Sequence, residues 1–108
     1  MDGKVTDITG MDFAAVVAGQ DGLILFDLWK PDCTPCRALA PILDDLAADF
    51  AGDVRICKAD ISADRALAER FAARAVPTLV LWRGGEEIDR IVGLRSRAHL
   101  TAWLESHL

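Results

Sequence analysis

Apolar and polar positions change their period several times along this chain, and each change marks an element. Val5 to Ile8 is a short strand candidate. Thr9 then stands as the cap of a short helix carrying Phe13, Val16 and Val17, which Gly19 and the Asp21-Gly22 turn bring to a stop. Leu23-Ile24-Leu25-Phe26-Asp27-Leu28-Trp29 is almost continuously apolar, the pattern of a strand covered on both faces. From Pro35 to Phe50 the period becomes helical: Leu39, Ile42, Leu43, Leu46 and Phe50 recur at steps of three and four, with Asp44, Asp45 and Asp49 on the other side. Pro41 inside this helix predicts a kink. Val54 to Ala59 is the next strand, closed by Asp60. Ser62 is placed to cap a helix through Leu67 towards Phe71. Thr78 to Trp82 and Glu86 to Val92 are two more strands, and Gly84-Gly85 between them signals a two-residue hairpin. Ser96 caps a last helix with Leu100, Trp103 and Leu104 on one stripe.

The order is β-α-β-α-β-α-β-β-α. Alternation in the first part implies parallel strands joined by crossover helices, with the hairpin adding an antiparallel edge. The expectation is an α/β fold whose mixed sheet carries helices on both faces. In such folds the working end lies past the carboxyl ends of the central strands, and Cys33 falls there.

Composition narrows this reading. With 108 residues, 52% of them hydrophobic, the chain suits one domain spanning 1–108 that buries a core without disulfide staples. Twelve Lys plus Arg against 17 Asp plus Glu give a net charge of −5. That balance argues against nucleic acid and anionic membrane as partners, which call for basic patches. No apolar stretch approaches the roughly 20 residues of a membrane span, and the first residues lack a secretory pattern. Three cysteines cannot all pair within one chain. A cytoplasmic protein with thiols reduced by default is expected.

Position separates those cysteines. Cys33-Thr34-Pro35-Cys36 lies between the buried strand and the amphipathic helix, where a small disulfide can close across the first turn. The free N–H groups and dipole of the helix start favour negative charge, so Cys33 is the candidate nucleophilic thiolate. Pro35 fits the first turn, where its missing N–H costs nothing. Cys36, one turn in, should be more buried and act on a mixed disulfide. A zinc half-site is the blander alternative, but a second cysteine pair is absent, and Cys57, His99 and His107 lie at no recognisable ligand spacing. Covalent haem needs a His after the second Cys, where Arg37 stands. No metal and no cofactor are expected.

Several separated motifs then resemble the thioredoxin family: Phe26-Asp27-Leu28-Trp29, the Cys pair, Ala40-Pro41-Ile42-Leu43, Lys58, Val76-Pro77-Thr78, a hairpin glycine and Gly93. The resemblance runs from about Val5 to Leu108. It implies the thioredoxin fold, a central mixed five-stranded sheet flanked by four helices. It also implies a thiol-disulfide oxidoreductase that reduces protein disulfides, supplied with electrons by a thioredoxin reductase or an equivalent donor and acting as a monomer. By the same resemblance Asp27, a carboxylate in an apolar strand and so raised in pKa, serves Cys36 as general base, with Lys58 as its charge partner. A buried pair that only fixes strand register is the alternative. The Val76–Pro77 bond is implied to be cis and to lie against the Cys pair, with Val76 backbone groups pairing to an extended substrate. Gly93 leaves a flat approach, or simply ends a strand. Trp29, Trp82 and Trp103 are read as packing and Cys57 as a small buried hydrophobe.

The site departs from the family's Trp-Cys-Gly-Pro-Cys: here it is Asp32-Cys33-Thr34-Pro35-Cys36. Asp32 sets a negative charge beside the nucleophile, opposing the helix effect and repelling acidic surfaces. Thr34 stiffens the loop and brings a hydroxyl that can donate to a sulfur. Two alternatives follow: a specialised redox partner or oxidant with few substrates, and a binding module that does not use its thiols.

Overall fold

The structure is a computed structural model that describes residues 3–19 and 21–108. Its centre is the apolar run: β2 (Leu23–Trp29) has Leu23 to Leu28 all buried. A strand covered on both faces needs a partner on each edge and helices above and below. Here β3 (Val54–Asp60) pairs with it in parallel and β4 (Thr78–Arg83) antiparallel. The full order is β1-β3-β2-β4-β5, with β1 (Thr6–Asp7) parallel to β3 and β5 (Glu86–Val92) antiparallel to β4. Four helices flank the sheet among the described residues: α1 (Phe13–Ala18), α2 (Thr34–Asp49), α3 (Arg65–Arg70) and α4 (Arg97–Ser106).

Successive strand residues point to opposite faces, and the core divides accordingly. Leu23 and Leu25 join Leu39, Leu43 and Leu46 of α2 and Leu100 and Leu104 of α4. Ile24, Phe26 and Leu28 join Phe13 and Val16 of α1 and Leu67 of α3. On this second face Trp82 meets Phe13, Phe26 and Phe71 edge-on, at centroid distances of 5.5, 6.2 and 6.0 Å, so it is packing, as its sequence setting suggested. Each fully buried Leu or Phe contributes about 1.5–3 kcal/mol.

Three expectations need correction. The alternating order predicted a β4 parallel to its neighbours, but Thr78 pairs with Leu28 and Trp82 with Ile24, so β4 runs the other way. β4 therefore starts at the end of the sheet where β2 and β3 finish, with Thr78 beside Leu28. Second, Asp64 rather than Ser62 caps α3, accepting from the Leu67 N–H at 3.0 Å, while Ser62 bonds Asp60. Third, Thr9 does not cap α1; its backbone N–H donates to the Asp12 carboxylate at 2.9 Å, and Asp12 is the cap residue. Elsewhere pattern and structure agree. Gly84 and Gly85 have φ of +63° and +85°, as a primed hairpin turn requires. Ser96 accepts from the His99 N–H at 3.1 Å. α2 continues as one helix through Pro41, which is exposed.

Candidate active site

β2 ends at Trp29, and the chain turns through Lys30, Pro31 and Asp32 before α2 begins. The turn is closed by the Cys33 N–H donating to the Lys30 carbonyl at 3.3 Å. Cys33 is the cap residue of α2, in an extended conformation (φ −104°, ψ 109°), and its Sγ accepts from the Cys36 N–H at 3.2 Å. The sulfur thus occupies the place a Ser or Asp oxygen fills at other helix starts. It faces an unsatisfied donor and the positive end of a 16-residue helix. Cys33 and Cys36 are joined in a disulfide. Cys33 is partly exposed, whereas Cys36 is only 3% exposed, so an incoming sulfur reaches the first and not the second.

Asp27 lies on β2, two residues before the strand ends. By strand alternation it shares the face of Leu23 and Leu25, the face that α2 covers. It is 1% exposed, and its Oδ1 has no hydrogen-bond partner among the described residues. Burial pushes its pKa up from 3.8 to about 7, and the nearby Lys58 charge pulls it back only in part. Lys58 is its register partner on β3 and lies on the same face. The two form no ion pair within 4.0 Å; instead the Lys58 ammonium sits over the Trp29 ring, 4.4 Å from its centroid. Such a cation–π contact holds the charge near Asp27 without neutralising it.

The third wall comes from the segment before β4. Val76–Pro77 is a cis peptide bond, and the Val76 carbonyl oxygen lies 3.8 Å from Cys33 Sγ. The Gly93 N–H donates to the Pro77 carbonyl at 2.8 Å, tying the end of β5 to the same loop. Gly93 has φ +97°, a backbone conformation that only glycine adopts without strain. Antiparallel β4 brings this loop to the carboxyl end of β2, beside the cysteines.

The structure therefore gathers Cys33, Cys36, Asp27, Lys58, Thr34, Pro35, Val76, Pro77 and Gly93 at one end of the sheet. Asp32 is exposed on the turn before Cys33. Thr34 differs from expectation in one respect: its hydroxyl oxygen accepts from the Arg37 guanidinium at 3.3 Å, and the same guanidinium donates to the Pro31 carbonyl at 2.8 Å. In the sequence Arg37 stands out only as the residue that excludes haem. Its place directly after the second cysteine was the available signal for this clamp. Cys57 is fully buried, paired in register with Phe26 on β2 and Thr6 on β1. Burial pushes its thiol up to about 11, leaving it inert at neutral pH.

Comparison with known proteins agrees with this geometry. A family model described as Thioredoxin matches residues 4–106. The chain is 37% identical to the thioredoxin of Haemophilus influenzae over 105 residues, covering 97% of this chain and 98% of that protein. It is 34% identical to Thioredoxin 1 of a Nostoc species over 105 residues, covering 97% and 95%. Among solved structures, a mutant thioredoxin from Halobacterium salinarum superposes with a TM-score of 0.87 at 30% identity, covering 97% of this chain and 91% of that one.

Proposed function

The chain belongs to the thioredoxin family, and from that premise we propose a division of labour around its dithiol. The activity itself is thiol-disulfide exchange: the protein is a protein-disulfide reductase working through Cys33 and Cys36. In the proposed cycle the Cys33 thiolate attacks one sulfur of a target disulfide, and the target's other sulfur leaves as a thiolate. A mixed disulfide joins Cys33 to the target. Cys36, deprotonated, then attacks Cys33 Sγ and expels the second target thiolate. The target gains two electrons and two protons, and the protein is left with its Cys33–Cys36 bond. An external reductase returns the electrons.

One observation carries this order of attack. Cys33 Sγ is reachable and accepts a helix N–H, while Cys36 is buried beneath it. A group that accepts hydrogen bonds at a helix start is a better thiolate and a better leaving group. Asp27, with its pKa near 7, is present in both protonation states at neutral pH, which suits a base for the Cys36 proton. Lys58 holds that pKa down from where burial alone would set it. Val76 and Pro77, with Gly93 behind them, offer backbone to an extended substrate. Asp32, Thr34 and Pro35 border the approach. The protein acts as a single-domain monomer, in electron transport and redox homeostasis of the cytoplasm. No helix among the described residues is long and apolar enough to cross a membrane.

The test is reduction of insulin disulfides by Cys33→Ser, which should fall to background; activity retained in that variant overturns the assignment. The unusual Asp32 favours a second reading, a specialised oxidant. A redox titration of the Cys33–Cys36 pair separates the two: a potential around −270 mV marks the reductant and one around −120 mV the oxidant.

A further inference from the structure

Beside Val76 lies a cleft of about 100 Å³ lined by Lys30, Ile61, Ala73, Arg74, Ala75 and Val76. It opens between the turn that leads into Cys33 and the loop that leads into Pro77, so it adjoins the carbonyl 3.8 Å from Cys33 Sγ. Two cations stand on its rim. Lys30 and Arg74 are both exposed, and neither meets a carboxylate within 4.0 Å among the described residues. That is unusual company in a chain with 17 acidic residues and a net charge of −5. Other cations near the site are committed: Lys58 to the face of the Trp29 ring, Arg37 to the Pro31 carbonyl and the Thr34 hydroxyl, and Arg95 to the Leu94 carbonyl. The carboxylate at the end of β3, Asp60, is turned onto Ser62.

We propose that this cleft binds an acidic side chain of the substrate protein, so that the preferred targets carry Asp or Glu within about two residues of the attacked cysteine. The proposal rests on the disulfide-reductase reading and adds its substrate class. Size agrees: the cleft holds roughly three water volumes, the scale of a carboxylate head and its methylene. Charge agrees as well. An extended segment lying along Val76 puts its side chains alternately towards and away from the protein, and one directed to this cleft meets two cations that have no carboxylate partner among the described residues. Asp32, exposed on the turn before Cys33, is not among the residues lining the cleft.

The test uses disulfide peptides identical except for Glu, Gln or Lys beside the attacked cysteine. With the natural protein at low salt, kcat/KM should favour the Glu peptide over the Lys peptide about tenfold. Raising salt to about 1 M, where the screening length is about 3 Å, should remove most of that preference. Lys30→Gln with Arg74→Gln should compress the ratio to within about twofold, and Lys30→Glu with Arg74→Glu should invert it. Reduction of the neutral hydroxyethyl disulfide should be unchanged in all variants. A Glu-to-Lys ratio unaltered by the double variants overturns the proposal. So does an equal loss with the neutral disulfide, which would place the cations in the thiol chemistry. A separate readout does not depend on turnover: the Glu peptide with its cysteines replaced by Ser should shift the amide resonances of Lys30 and Ala73 to Val76 in the oxidised protein. Failure of the natural protein to reduce any disulfide would instead refute the reductase reading, and the resonance shifts would still decide the cleft.

Discussion

Asp27 is an ionisable group held where ionisation is costly, and stability must register that. Its pKa is about 7 in the folded protein against an ordinary 3.8, so between those values the folded state binds more protons than the unfolded one. The contribution to stability is therefore full below about pH 4, declines as pH rises, and is lost above about pH 7. The whole difference is on the order of 4 kcal/mol, and the part falling between pH 5 and pH 8 is about 2–3 kcal/mol. Asp27→Asn removes this ionisation. Urea unfolding of the oxidised protein should show the variant gaining that amount on the natural protein between pH 5 and pH 8. Parallel pH dependences would mean Asp27 ionises freely. The same variant should slow release of the mixed disulfide by about a hundredfold or more at neutral pH, the usual scale for loss of a general base. Asp27 was legible as a lone charge in an apolar run, and Lys58 came with it through the family resemblance. The Arg37 clamp was not, because it depends on how the turn before Cys33 folds back on the helix; nor was the cleft between Lys30 and Arg74, which depends on how two loops far apart in sequence meet.

Helix caps show where element boundaries stop being a local matter. Ser62 and Asp64 both carry an oxygen able to cap α3, and sequence alone does not rank them. Asp64 prevails in a role that reaches beyond its helix: one carboxylate oxygen accepts from Leu67 N–H and the other from the Gly10 N–H. This ties the start of α3 to the loop before α1. A Cβ on Gly10 would lie 2.9 Å from that carboxylate, so the glycine permits the approach. Asp64→Ala should cost about 2–3 kcal/mol, since it also leaves a part-buried N–H unpaired. Ser96→Ala, which removes one exposed cap bond from α4, should cost about 1 kcal/mol. Urea denaturation of the two variants compares them directly, and an Asp64→Ala loss no larger than that of Ser96→Ala would contradict the bridging role.

At the scale of the whole molecule, burial on both faces of β2, the five strands, the four helices and the Gly84-Gly85 hairpin were all written in local periodicity. The direction of β4 was not. It depends on how the connection from β3 returns rather than on the periodicity of any strand, and it matters for function because it delivers Val76 and Pro77 to the cysteines. The charge of −5 likewise describes the surface as a whole and conceals two cations beside the nucleophile. All of these features converge on one partly exposed sulfur. Cys36→Ser, incubated with a protein disulfide, should accumulate a mixed disulfide, and peptide mass mapping of the adduct tests the central claim most directly. The expected result is target bound through Cys33 alone; adducts on Cys57, or none on Cys33, would contradict the account.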